Sequence, residues 1–275
     1  ILKKFFEYIG LIAFTLFSFY YTDKVTKVMN NKDPLMVSIK EYRDKTKQTC
    51  KEGYYTTDGV VLGVSGKVVS VNESYSNMVT NGFDLESMVY EEITCKVNKE
   101  STLDNFIIKG NETKNSVSLF INIKSLDLIE SLINVSNNQN VKLNLLIDGK
   151  TLEKNKELLK EFYNENYDIV YNGSNKEDLK LYIKTIKSFN KTDRMFCMSY
   201  NNIDNKNICS EEKINTLKTE YVYDKNVFSN TKNNFEKGGF YIYNENNVTL
   251  KELNTIINFI KGKNINVINV TEMIK

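Results

Sequence analysis

Any chemistry in this chain must be done without imidazole. The 275 residues include 35 acidic and 37 basic side chains, four cysteines, and neither histidine nor tryptophan. A chain lacking His has no His general base, no ordinary catalytic triad and no His metal ligand, so a metal would need thiolates or carboxylates. The thiols are Cys50, Cys95, Cys197 and Cys209, and no CxxC spacing links them, which speaks against a structural zinc site. Four cysteines allow three pairings. The net charge of +2 is spread along the whole length, leaving no basic field of the kind nucleic-acid binding needs.

These residues have to be positioned by folded elements, and with 41% hydrophobic and 26% charged residues the chain has a globular balance. Phe5 to Tyr21 is an apolar and aromatic run preceded by Lys3 and Lys4. At about 1.5 Å per residue it spans roughly 25 Å, the short end of a bilayer core of about 30 Å, and its last residues lack a small-x-small cleavage pattern. This predicts a single-pass membrane anchor over residues 1–21, with Lys3 and Lys4 inside and the main domain extracytoplasmic. Residues 22–49 are polar and broken by Pro34, which reads as a juxtamembrane stalk. Short β-prone runs separated by Gly, Asn and Ser predict a small β-containing subdomain over 50–114, with a capped helix starting near Val71. The cysteine pairing that respects the boundary near residue 115 is Cys50 with Cys95 and Cys197 with Cys209; free buried thiols are the alternative.

From residue 115 to 275 short apolar runs alternate with amphipathic stretches. Strands are expected at 117–123, 141–147, 167–171, 239–243 and 265–270, and helices at 126–137, 152–164, 176–188, 250–261 and 271–275. Such alternation implies an α/β fold with a largely parallel sheet.

Within this frame, Val117 to Lys275 resembles the NodB-like domain of the polysaccharide deacetylases. Lys142-Leu-Asn-Leu-Leu-Ile-Asp-Gly149 followed by Asn155-Lys-Glu-Leu-Leu159 stands where that family has a K-A-T-F-F-V-x-G strand and an N-P-E-L helix start. Glu165 to Leu179 stands where it has E-x-G-H-E-I-G-N-H-S-Y-T-H-P-D-L, and Glu252 to Ile274 resembles its closing helix and strand. Gly63 to Met78 and Met88 to Glu92 resemble an upstream segment of anchored members in Gram-positive bacteria. The resemblance implies a distorted (β/α) barrel. In the family an acidic pair supplies a general base and one metal ligand, and two His four apart supply the others, holding a divalent metal such as zinc. Here the acidic pair falls on Asn122 and Ile123 and the His pair on Asn172 and Lys176. The family's late His falls near Glu245, and Arg194 lies in the stretch of its Arg-Pro motif.

None of these side chains can replace the family's set: Asn is a weak ligand and no base, Ile has no donor atom, and Lys repels a cation. The expectation is therefore a pseudoenzyme with no catalytic residues and no metal cofactor, binding peptidoglycan, another envelope glycan or a protein partner. Tyr171, Tyr200, Tyr241 and Tyr243 could stack on sugar faces while Asn172, Asn201 and Asn202 bond hydroxyls. An active N-deacetylase with a site rebuilt from Asp127, Asp148, Asp178 or Glu245 is one alternative, and a purely structural envelope or sporulation module is the other.

Overall fold

The structure is a computed structural model that describes residues 11–21, 33–189 and 194–275. The chain folds into two compact units, one made of the described residues up to Thr49 together with Gly66–Ile93 and the other of Cys50–Ser65 together with Thr94–Lys275. Of the apolar run at 5–21, residues 11–21 are helical with large side chains such as Phe14 and Phe19 exposed, and residues 5–10 lie outside the described residues. No helix among the described residues is long and apolar enough to cross a membrane.

The smaller unit holds a helix where a stalk is expected. Pro34 opens the helix Pro34–Thr46 instead of interrupting it, because the first helical position needs no N–H donor. Asp33 caps it by accepting from the N–H groups of Leu35 and Met36, and the Tyr75 hydroxyl donates to the same carboxylate at 3.0 Å. Met36 and Ile39 are buried, and Ile39 packs with Val69, Met78 and Met88. Helix Val71–Met78 and an antiparallel pair, Gly66–Val69 with Tyr90–Ile93, complete the unit.

The larger unit is built on a curled mixed sheet. Its strands are β1 (Tyr54–Tyr55), β2 (Val60–Val61), β3 (Phe106–Lys109), β4 (Ser116–Asn122), β5 (Asn144–Ile147), β6 (Asp168–Tyr171), β7 (Cys197–Ser199), β8 (Thr216–Lys218), β9 (Val222–Tyr223), β10 (Phe240–Asn244) and β11 (Asn266–Val267). They run in the order β1-β2-β3-β8-β7-β6-β5-β4-β10-β9, with β11 joined to β4. All pairs are parallel except β1 with β2. The helices are α1 (Ile129–Asn138), α2 (Gly149–Lys154), α3 (Lys156–Asn164), α4 (Lys176–Lys187), α5 (Lys206–Glu211), α6 (Val227–Asn233), α7 (Asn247–Gly262) and α8 (Val270–Met273).

Alternation along each strand divides the apolar residues between two cores. Leu119, Ile121, Leu145, Ile169, Tyr171, Tyr241 and Tyr243 pack with residues of the helices. Phe120, Leu146, Val170, Met198, Leu217 and Ile242 fill the other face, where Phe120 and Phe240 meet edge to face at 5.9 Å. Helix α1 starts three residues later than its apolar period suggests, since residues 124–128 form a loop in which Leu126 has φ of 69°. The stretch expected as one helix over 152–164 is two, α2 and α3, meeting at Asn155. The strand expected at 265–270 is only the two-residue β11, as Asn269 turns the chain into α8.

At the amino ends of the central strands Arg194 and Asp168 form a buried ion pair at 2.7 Å. The guanidinium also donates to the carbonyls of Tyr163 and Tyr167 and lies over the Tyr163 ring, and Asp168 accepts from the N–H of Thr271. Arg194 thus ties α3, β6 and α8 together at the end of the strands opposite Asn122 and Asn172. Replacing Asp168 by Asn leaves a buried cation without its counter-charge, and Arg194→Met does the reverse. Each should cost about 3–5 kcal/mol, measured by urea unfolding.

Candidate functional site

Asn122 ends β4, Asn172 follows β6, Tyr200 follows β7 and Asn244 ends β10, so the parallel register delivers all four to the carboxyl ends of the strands. In open α/β sheets this is the end where ligands bind. The side chains form one hydrogen-bonded row. Asn122 Nδ2 donates to Asn244 Oδ1 at 2.8 Å, and Asn122 Oδ1 accepts from Asn172 Nδ2 at 2.9 Å and from Tyr200 Oη at 3.1 Å. Asn244 Nδ2 continues to Asp224 Oδ1 at 3.1 Å, and Asn246 Nδ2 reaches the same oxygen at 2.9 Å. Burial pushes the Tyr200 phenol up, so it keeps its proton and can donate.

Two of the four expected family positions are outside this row. Ile123 is 8% exposed and packs in the helix-side core, so the second acidic position faces apolar side chains. Lys176, on the first turn of α4, is exposed and ion-paired with Glu211. Asn244, Asp224 and Asn246 were not singled out by sequence reasoning; the one available signal was the polar Asn-Glu-Asn that ends the apolar run Phe240–Tyr243.

Glu245 is not a free acid. Its carboxylate accepts from the N–H groups of Lys124, Ser125, Leu126 and Leu128 at 2.9–3.1 Å, holding the loop that carries Leu126 in the left-handed region. Successive N–H groups converging on one anion form a nest. Asp148 caps α2 through Thr151, and Asp178 accepts from the N–H groups of Gly149 and Lys150. Asp127 is exposed. A rebuilt site from these four carboxylates is therefore not assembled. Among the described residues only Cys50, Glu52 and Cys95 bring three potential metal ligands within 4.8 Å. Both sulfurs there are in a disulfide, as are those of Cys197 and Cys209, so neither pair offers thiolates. With amides spent on one another and a lysine and an isoleucine in the remaining positions, the residues do not fit a divalent metal.

Of the tyrosines expected to stack on sugars, Tyr171, Tyr241 and Tyr243 are completely buried. Their odd positions face the helices, and their hydroxyls bond within the fold: Tyr171 to the Asn175 carbonyl, Tyr241 to those of Asn234 and Glu236, and Tyr243 with Thr231. Tyr200 alone joins the row. Asn201 and Asn202 are exposed beside it in sequence.

The Glu245 clamp has a pH signature. Burial would push its carboxyl up, but the backbone donors outweigh that and hold it below the usual glutamate range. Because the folded value lies below the unfolded one, this stabilisation is complete above about pH 4.5 and is lost as pH falls through the folded value. Glu245→Gln should cost about 1.5–3 kcal/mol at neutral pH, and the gap from wild type should close in acid when melting curves are compared.

No protein-family model and no curated protein matches the sequence. Solved structures do match. The crystal structure of wild-type BA3943, a CE4 family pseudoenzyme from Bacillus anthracis, superposes with a TM-score of 0.64 at 17% identity, covering 89% of this chain and 96% of that one. A BA3943 mutant with restored enzymatic activity gives 0.64 at 16%, over 88% of this chain and 98% of that one. Bacillus subtilis PdaA, a family 4 carbohydrate esterase, gives 0.53 at 11%, covering 62% of this chain and 85% of that one. The chain thus has the NodB-like polysaccharide deacetylase fold of the CE4 carbohydrate esterases.

Proposed function

We propose that this protein is a catalytically inactive NodB-like pseudoenzyme, held at the outer face of a bacterial cell membrane by its apolar N-terminal run, whose strand-end amide row binds envelope glycan. One observation carries the reading: the strand ends where a deacetylase needs a metal and a base hold a bonded row of amides, a phenol and one peripheral carboxylate. No member of that row can hold zinc or take a proton from water at neutral pH except Asp224, which is turned to Asn244 and Asn246. Amides and phenols instead suit sugar hydroxyls, which both donate and accept. The two disulfides suit an oxidising exterior, and the run Phe5–Tyr21 suits an anchor. A structural likeness to BA3943, itself described as a pseudoenzyme, agrees with the loss of activity.

The test is metal content and acetate release by the full chain in detergent, offered zinc or cobalt and an acetylated chitin or peptidoglycan oligomer. The expected result is no stoichiometric metal and no acetate. Bound metal with acetate release would sink the reading. Restoring the acidic residue by Ile123→Asp should not by itself bring a ligand into the row; it buries a carboxylate in the apolar core and should lower stability by several kcal/mol, read as a large drop in Tm.

A further inference from the structure

The amide row has a direction, and one carboxylate sets it. An ionised carboxylate only accepts, so Asp224 Oδ1 takes N–H groups from both Asn244 and Asn246. With its nitrogen turned to Asp224, Asn244 gives its oxygen to Asn122 Nδ2, and Asn122 then gives its own oxygen to Asn172 and Tyr200. What remains at the far end is the Asn172 oxygen, which accepts from no described residue, since only the Asn172 nitrogen bonds along the row. At the near end the second Asp224 oxygen likewise takes no described donor. Both ends therefore present acceptors, and one of them is charged. The cations closest in sequence are Lys225, exposed and next to Asp224, Lys124, whose side chain is exposed, and Lys176, ion-paired with Glu211.

We propose that this amide row selects a sugar carrying a free amine over the same sugar bearing an acetamido group. The proposal rests on the glycan-binding reading above and names its ligand class. An ammonium has donors only, matching a row that ends in acceptors, and hydrogen bonds with an ionised partner are roughly twice as strong as neutral ones. A divalent metal at this place would repel that ammonium, whereas amides do not. The acetamido carbonyl needs donors, and the nitrogens of Asn122, Asn172 and Asn244 are turned inward along the row. The protein would thus recognise the chemical product of N-deacetylation: an amine left after an acyl group has been removed elsewhere.

Calorimetric titration of the detergent-solubilised full chain at near-neutral pH, with a short chitosan oligomer and its fully N-acetylated counterpart, tests this. The amine form should bind about tenfold more tightly, the equivalent of the excess of one charge-assisted hydrogen bond over a neutral one. Asp224→Asn, at an exposed and isosteric position, should abolish most of that preference with an unchanged Tm. Asn172→Asp, which adds a charge at the other end, should widen it. Equal or tighter binding of the N-acetylated oligomer overturns amine selectivity while leaving glycan binding intact. Binding of neither oligomer overturns both.

Discussion

The larger unit depends on one constraint: its central parallel strands are covered on both faces. A strand with helices on one side and a curled sheet on the other has no wet face, so nearly every side chain between its ends must be apolar or fully bonded. Polar chemistry is then confined to the strand ends. At the amino ends the polar groups close the fold, with Arg194 and Asp168 buried against α8. At the carboxyl ends they are part-buried, with Asn122, Asn172 and Asn244 bonded to one another. Where the apolar runs stop decides where polar side chains can gather.

That constraint also explains how a deacetylase fold can keep its form while its strand-end residues change. The framework depends on side chains that alternate between two cores, and Leu119, Phe120 and Ile121 serve both. Asn122 and Asn172, where the family's acidic and His positions fall, sit at or just past the last ladder bonds, where a change to an amide leaves the cores untouched. Ile123 shows the reverse route: one residue beyond Asn122 the chain has turned a side chain into the helix-side core. The position where the family's second acidic residue falls is here part of the packing.

Much of this was legible in the sequence. Strands near 117–123, 141–147, 167–171 and 239–243 stood out because parallel, doubly covered strands are continuous apolar runs, and helices over 176–188 and 250–261 carried a clear 3.6-residue period. The absence of His at once narrowed any metal ligands to carboxylates and thiolates. What could not be read was tertiary. The periodicity of α1 began at Leu126, yet the Glu245 carboxylate, 119 residues away in sequence, holds those N–H groups in a nest. Tyr171, Tyr241 and Tyr243 looked like sugar platforms by residue type, and only their odd register consigns them to the core. Pro34 read as a break because a helix start and a helix interruption look alike until the capping Asp33 is seen to bond.

The Cys50–Cys95 bridge joins residues 45 apart and encloses the whole segment 66–93 of the smaller unit. Among the described residues that unit has a small apolar core of Ile39, Val69, Met78 and Met88, so its local openings cost little compared with those of the larger unit. A cross-link that keeps both ends of an inserted segment together makes each such opening a short excursion rather than a separation. Amide protons of the helix Val71–Met78 can therefore exchange with solvent often while the segment stays within reach of its partners, and reclosure stays intramolecular.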